Sequence, residues 1–501
     1  MMKVVKKPKK PWALVLGMSV NGLSVVRSLG RKGIPVIALD RGLPSGTVRS
    51  RFVKEFISVE KEISQTQLLD CLLRIGRSYP RPIFLFPTND FFVLFISRNR
   101  EALKPFFSFQ LAHPEVIEAL IHKRHLCELA NLHGVPHPKT FHHPRPEEAE
   151  AIGKEIGFPC YIKPVYSHLW REKYSDTKVI PVRNQEELSL KLSQIDPLGL
   201  EVIVQEIIPG PADALYAVIA FMDEQTRPLA VCSKRKLRQY PLEAGEGSFQ
   251  ITIQDRRLEE VAVQFLQGLS YVGIAELEFK WDARDGLYKL IEINPRTVTW
   301  QELVTQAGVD IPYLSYEYTL NRRVIPLKKY KTGMKWLCFK WDLKAFLETK
   351  RTQKITFFEW LHSLNNVKTF AYFSWDDPLP FLIQITQFLI QSFSYVLKIF
   401  FALPMNAKQE KPWAVVLGFS INGLSAARSL GRKGIHVIAL SRGKPCGAAY
   451  SRYAKEFSHI DKKLSDQELL DLLLNIGTSH PNPIFLFPTD DFFVLFVSRN
   501  R

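Results

Sequence analysis

The chain repeats itself. Residues 11–100 align with residues 412–501 at a constant offset and without a gap, and roughly two-thirds of the aligned positions are identical. That is far above chance for unrelated segments, so one structural unit must occur twice. Trp12-Ala13 returns as Trp413-Ala414, and Asn21-Gly22-Leu23-Ser24 returns as Asn422-Gly423-Leu424-Ser425. Phe86-Pro87-Thr88-Asn89-Asp90 returns as Phe487-Pro488-Thr489-Asp490-Asp491.

Each copy reads as an α/β unit. In the first, Ala13 to Leu16 is a short apolar strand, followed by a glycine turn and a helix through Leu29. Pro35 to Leu39 is the next strand, Leu68 to Ile75 is helical, and Ile83 to Phe86 is a third buried strand. Strands and helices alternating at this spacing imply a parallel sheet with right-handed crossovers. Gly17-Met18-Ser19-Val20-Asn21-Gly22 is a loose dinucleotide fingerprint, with Asp40 near the place of a ribose-binding acid. Ser19 replaces the glycine that lets backbone approach a pyrophosphate, and the acid becomes Ser441 in the second copy. A structural glycine turn is the favoured expectation.

At 501 residues there is room for three or four domains, and 46% hydrophobic with 23% charged residues is globular composition. The net charge of +17 is spread along the chain without an arginine-rich tail or nucleic-acid motif. A polyphosphate substrate and a membrane surface suit it better than nucleic acid. The six cysteines form no CxxC pair, which fits a reducing compartment and argues against structural zinc. The basic start, Met1 to Lys10, lacks the apolar core of a signal peptide, so a cytoplasmic location is expected.

The middle of the chain carries the chemistry. Lys123 lies on a helix ending near His133-Gly134. The apolar run Ile156 to Pro164 delivers one lysine, Lys163, and Val202 to Ile208 is a strand containing Gln205 and Glu206. Lys234-Arg235-Lys236-Leu237-Arg238 precedes a Gly-rich turn, Gly245 to Ser248. Glu276-Leu277-Glu278 and Glu292-Ile293-Asn294 then lie on two strands joined by Asp285-Gly286. Alternation puts Glu276 with Glu278 on one strand face, and Glu292 with Asn294 on one face of the next. Glu278, Glu292 and Asn294 can therefore meet at one point, a hard-oxygen set suited to Mg²⁺ arriving with nucleotide phosphates.

This ordered set resembles the ATP-grasp superfamily, and within it the carboxylate–amine ligases, over roughly residues 12–320. The resemblance implies an α/β and α+β multidomain fold: a Rossmann-like preATP-grasp domain over 11–112, an ATP-grasp domain over 113–325 and an extension over 326–378. An apolar helix over 379–404 and a second, incomplete preATP-grasp-like domain over 411–501 follow. By the same resemblance Lys123 and Lys163 contact phosphates, and Gln205, Glu206, Ile207 and Ile208 form the hinge that binds the adenine edge. Asp213 holds the ribose; Glu278, Glu292 and Asn294 ligate Mg²⁺, with Mn²⁺ an alternative. Arg296 faces the transferring phosphate, and Lys236 and Arg238 clamp the γ-phosphate or a carboxylate. ATP and Mg²⁺ are the implied cofactors. A small-molecule carboxylate and an amine are the implied partners, joined through an acyl phosphate.

Two departures stand out. The segment Val165-Tyr166-Ser167-His168-Leu169-Trp170 after Lys163-Pro164 has no glycine where many relatives carry a Gly-rich loop. Glu276 occupies a place where some ligases have arginine, which leaves oxyanion stabilisation to Arg296 or Arg238. The histidines clustered between His113 and His143 read as linker and helix-surface residues rather than metal ligands.

Leu379 to Leu403 is apolar with one charge, Lys398, and a narrow polar stripe through Gln384, Gln387, Gln391 and Ser394. A docked helix or an interfacial membrane helix fits that stripe better than a span, though the length suffices to cross a bilayer. Membrane-surface contact through 379–404 and a homo-oligomer both stay open. The second copy stops where the first runs into its next domain, as expected of a remnant or of half a tandem protein. Three function classes compete: a ligase, a non-catalytic nucleotide-binding scaffold on the same fold, and a nicotinamide oxidoreductase.

Overall fold

The computed structural model describes residues 10–42, 45–80, 82–165, 170, 178–322, 324–327, 329–351, 355–388, 413–442, 451–461, 463–479 and 484–500. Internal contacts divide the chain into two units, Met1–Leu389 and Ile390–Arg501. The division falls inside the apolar segment.

The first unit opens with a five-stranded sheet of order β3-β2-β1-β4-β5. The strands are β1 Ala13–Leu16, β2 Val36–Arg41, β3 Val53–Val59, β4 Ile83–Pro87 and β5 Phe107–Ser108. All pairings are parallel, as the βαβ spacing predicts. β1 is buried along its whole length because helices cover both faces. The helix Val20–Arg31 starts at Ser19, whose hydroxyl accepts from the Asn21 amide. Asn89 caps the helix Asp90–Arg98 by accepting from Phe92 N at 3.0 Å.

The glycine turn is structural. Asp40 Oδ2 accepts from Met18 N at 2.9 Å, so that amide is already satisfied. A Cβ on Gly22 would lie 2.0 Å from the Gly17 carbonyl, so this glycine serves close packing between turn and helix. Asn21 donates to the Thr88 and Thr297 carbonyls at 2.7 and 2.6 Å.

Next comes a four-stranded antiparallel sheet of order β6-β9-β7-β8, formed by β6 Thr140–His142, β7 Cys160–Pro164, β8 Ile180–Val182 and β9 Val202–Glu206. The third sheet has seven strands in the order β14-β13-β10-β11-β12-β15-β16. Its strands are β10 Leu215–Met222, β11 Pro228–Tyr240, β12 Glu246–Ile253, β13 Gly273–Asp282, β14 Leu287–Asn294, β15 Lys335–Leu337 and β16 Val367–Phe370. The Gly-rich turn is therefore shorter than its composition suggests. Residues 241–244 turn the chain, Gly245 packs so closely that a Cβ there would lie 2.0 Å from the Pro241 carbonyl, and Glu246 to Ser248 already belong to β12.

The helices Gln301–Gln306 and Ile311–Asn321 return to the first sheet. Val15 and Phe86 share a core with Trp300, Leu303 and Tyr316, and the Phe84 and Tyr316 rings meet edge-on at 5.6 Å. The chain then crosses the first domain once more. Asp377 is 1% exposed and pairs with the fully buried Arg27 at 3.0 Å. Residues 379–388 are helical, and Ile383 lies against Gly46. The rest of the apolar segment, with Gln391, Ser394 and Lys398, lies outside the described residues. Among those described, no helix is long and apolar enough to cross a membrane.

The second unit holds one sheet of order β19-β18-β17-β20, built from β17 Trp413–Leu417, β18 His436–Arg442, β19 Ala454–Ile460 and β20 Phe485–Pro488. Its pairings are parallel, with the order found for β3-β2-β1-β4.

Candidate active site

Strand register decides where the acids go. β13 and β14 pair so that Glu276 lies opposite Asn294 and Glu278 opposite Glu292. Directly opposed residues share a sheet face, so all four oxygen-bearing side chains converge, as alternation predicts. Two carboxylates facing each other across neighbouring strands repel, and the pair is stable only with cations nearby. Glu276 accepts from Asn294 Nδ2 at 3.0 Å and from Trp300 Nε1 at 2.5 Å. Burial, then the charge of Glu278, pushes its carboxyl above the usual range.

The cations approach from three sides. Lys123 begins the helix Lys123–Leu132, and Lys163 projects from β7. The two line one pocket together with Cys127, His137, Gln205 and Ile291. Lys163 Nζ donates to Gln205 Oε1 at 2.6 Å. Burial, then the Lys123 ammonium, lowers the Lys163 pKa to about 8, although Glu292 and Glu278 pull the other way. Those two carboxylates are thus within electrostatic reach of Lys163. On β11, Lys236 is 5% exposed and donates to Gln239 Oε1 and the Gly245 carbonyl, each at 3.3 Å. Arg296 donates to Asp90 Oδ1 at 2.7 Å and to Asn294 Oδ1 at 2.8 Å. The first domain thereby orients an arginine of the third sheet.

Three charged residues here had no role expected from the sequence. Lys234 is 3% exposed, sits 5.0 Å from the Trp300 ring centre, and lies within reach of Glu276 and Glu278. Alternation could have found it, because it precedes Lys236 by two residues on one strand. Lys178 pairs with Glu246 and also lies within reach of Glu292 and Glu278. Burial works against ionised Glu246, but Lys178, Lys236 and Arg296 hold its carboxyl down at about 2. Lys178 sits in no recognisable motif, and Glu246 was visible only as a member of the Gly-rich run Gly245 to Ser248. The cluster thus contains the cations Lys123, Lys163, Lys178, Lys234, Lys236 and Arg296 against the carboxylates Glu246, Glu276, Glu278 and Glu292. Positive charge is in excess, which favours an anionic ligand.

Two expected roles need correction. Arg238 does not join Lys236. A bulge in β11 pairs Lys236 with Gln250 but Arg238 with Phe249, so the extra residue, Leu237, turns Arg238 to the opposite face. There its guanidinium forks onto the buried Asp342 at 2.9 and 2.8 Å and donates to Ser363 Oγ. Asp213 does not stand free for a ribose. Its carboxylate accepts from Arg235 Nη2 at 2.7 Å and its carbonyl from Arg235 Nε at 2.6 Å.

The hinge residues divide by role. Gln205 Nε2 donates to Thr140 Oγ1 at 2.9 Å while its oxygen holds Lys163, so this side chain ties β6, β7 and β9 together. Glu206 accepts from Lys139 N and Arg284 Nη2. β9 ends at Glu206, and Ile207 and Ile208 run outside the ladder. Of the segment 165–170, residues 166–169 lie outside the described residues. The histidines behave as surface and packing residues: His122 and His125 stack at 4.0 Å, and His137 Nε2 meets Asn131 Oδ1. Among the described residues no group of three or more His, Cys, Asp or Glu is arranged to hold a metal ion. Two carboxylates and an amide remain a sufficient set for an ion that arrives with phosphate oxygens as its other ligands.

The chain is 28% identical over 316 residues to the D-aspartate ligase of Enterococcus faecium, spanning 60% of this chain and 74% of that enzyme. The likeness is to the ATP-grasp carboxylate–amine ligases. No protein-family model matches the chain. Further matches reach carbamoyl phosphate synthase large chains; that from Methanopyrus kandleri is covered over 39% of its N-terminal section at 23% identity. Solved structures share the ATP-grasp fold. An L-amino acid ligase from Bacillus licheniformis superposes with a TM-score of 0.51 at 14% identity, over 66% of this chain and 79% of that one. The biotin carboxylase domain of the Hydrogenobacter thermophilus 2-oxoglutarate carboxylase, solved with MgADP and bicarbonate, gives 0.51 at 16% identity over 64% and 73%.

Proposed function

We propose that this ATP-grasp chain couples ATP cleavage to activation of a small-molecule carboxylate, forming an acyl phosphate that an amine then attacks. The observation that carries the reading is Lys163, which lines one pocket with Lys123 and stands within electrostatic reach of Glu278 and Glu292, opposed across β13 and β14. In this reading the lysines grip the phosphates, and the backbone from Glu206 to Ile208 meets the adenine edge. Glu278, Glu292 and Asn294 would hold Mg²⁺ (or Mn²⁺), which supplies charge neutralisation at the phosphates. Asn294 is suited to this, since Glu276 and Arg296 fix which way its amide faces.

The substrate carboxylate attacks the γ-phosphorus, and the bond to the β–γ bridging oxygen breaks, releasing ADP. Lys123, Lys163 and Lys236 offset the charge spread over the phosphoryl oxygens. Arg296, held by Asp90, is then the arginine facing the acyl phosphate, a role Arg238 cannot share. Exclusion of water protects the intermediate until the amine attacks and phosphate leaves. We assign residues 11–112 as the preATP-grasp domain, 113–325 as the ATP-grasp domain and 326–378 as a clasp that returns to the first. The second unit, 411–501, repeats the preATP-grasp domain.

Release of ADP, screened across amino acids and short peptides as acid and amine, tests the proposal. Glu292→Ala is expected to lower turnover by at least about a hundredfold, on the scale of losing a main electrostatic contact to the transferring group. Nucleotide binding without amine-dependent ADP release for any pair would favour a non-catalytic scaffold instead.

A further inference from the structure

The β11–β12 hairpin breaks its register at one place, and a helix behind the sheet holds the residues on both sides of the break. Lys236 pairs with Gln250 and Arg238 with Phe249, which leaves Leu237 extra on β11. Gln239 then pairs with Gly247, which leaves Ser248 extra on β12. Ser248 is fully buried; its hydroxyl donates to Asp342 Oδ1 at 3.0 Å, and its carbonyl accepts from Cys338 N at 2.8 Å. Asp342 belongs to the helix Phe339–Arg351. Arg238, between the two extra residues, donates to the same carboxylate from Nε and Nη2. Trp360 Nε1 adds a bond to Oδ2 at 2.8 Å, so the buried carboxylate accepts four hydrogen bonds, two on each oxygen.

The break has a consequence on the opposite face. In a regular strand, residues three apart point to opposite sides of the sheet. Here Lys236 Nζ donates to Gln239 Oε1 at 3.3 Å, a contact that the extra residue brings about. Gln239 is 7% exposed, and its amide nitrogen donates to the Leu242 carbonyl at 2.6 Å. That bond fixes the amide oxygen toward the lysine. A carboxylate behind the sheet thus pins the irregularity that sets an acceptor beside Lys236 in front of it.

We infer that Asp342 is a positioning residue for Lys236, acting through the Arg238–Ser248 bulge and Gln239. The position needs a carboxylate: asparagine would turn an NH2 toward two of the four donors. The extension over 326–378 then does more than cover the sheet, because it fixes the direction of an ammonium on the far face of β11. The effect on rate rests on the proposed use of Lys236 at the phosphoryl oxygens. The effect on the ammonium itself does not.

Competitive acetylation of the full chain with acetic anhydride, read by peptide mass spectrometry, reports the openness of each lysine without any turnover. In Asp342→Asn, Lys236 should label at least about fivefold faster relative to the exposed Lys154, the scale of one lost hydrogen bond. Gln239→Leu should give a rise of the same size, and Ser248→Ala a smaller one. These two variants decide the question if Asp342→Asn does not fold. With an acid–amine pair that turns over, Asp342→Asn and Gln239→Leu should each lower kcat about tenfold at unchanged KM for ATP, as for a contact made only in the transition state. Adding either to Lys236→Met should cost nothing more. Unchanged Lys236 labelling in folded Asp342→Asn, or in Gln239→Leu, overturns the inference whether or not the chain releases ADP. So does a further fall in kcat in the Lys236→Met background, which marks a merely structural role. Faster labelling in a chain that releases ADP with no pair keeps the inference and sinks the proposed reaction instead.

Discussion

Arg27 and Arg428 hold the same place in two copies of one sequence, yet the first is fully buried against Asp377 and the second faces solvent. The same contrast runs through Asn21 and Asn422, and through Phe84 and Phe485. Both copies build a parallel sheet of the same strand order around a buried central strand. The local fold is therefore indifferent to whether its outer face is covered. What the cover changes is energy: a buried ion pair is costly to break, and an exposed arginine is nearly free to lose.

The sharpest attempt to break that comparison is Arg27→Ala beside Arg428→Ala. Arg27→Ala strands the Asp377 charge and should cost the first unit about 3–5 kcal/mol. Arg428→Ala should stay within about 0.5 kcal/mol. Denaturant unfolding followed by probes in each unit reads both, and equal losses would erase the distinction. Asn21→Ala comes next, leaving the Thr88 and Thr297 carbonyls without their donor at an expected cost of about 1–3 kcal/mol. The matching Asn422→Ala should be silent in the same measurement.

A smaller effect separates the copies in chemistry. Asp90→Asn loosens Arg296 and should slow ADP release about tenfold, the equivalent of roughly one charge-assisted bond. Asp491→Asn, at the same place in the second copy, should leave the rate unchanged. The smallest effect is in pH. Lys163 ionises near 8 in the folded chain, below the ordinary lysine value, because burial and Lys123 disfavour its charge. An anionic nucleotide prefers the charged form, so ATP affinity should be full below that value and fall a few-fold as pH rises through 8. The sign for stability is opposite: with the folded pKa depressed below the unfolded one, the cost of burying charged Lys163 is full below pH 8 and relieved as pH rises. Lys163→Arg should flatten the affinity profile. A profile unchanged by that variant would move the effect to another group.

The oxygen set was legible because it rests on alternation alone. Glu276, Glu278, Glu292 and Asn294 need only two strands and a short turn, here residues 283–286, to meet, and no distant residue can change their parity. Arg238 was misjudged for the converse reason. One extra residue in β11 reversed its face, and bulges leave no mark in composition. Asp213 carried no local sign that Arg235 would claim it. Lys178 and Glu246 are brought together from 68 residues apart by sheets folding over one another, beyond the reach of any spacing rule.

By itself the sequence determined what short-range periodicity and duplication encode: two α/β units, the alternation of strands and helices within them, and a face of paired acids followed by Asn294 and Arg296. The tertiary structure alone decided which charges met, which copy was covered, and that Asp90 of the first domain would steady Arg296 of the third sheet. The physical reason is that side-chain direction follows from the backbone within a few residues, whereas burial and ion pairing depend on surfaces brought together from hundreds of residues apart.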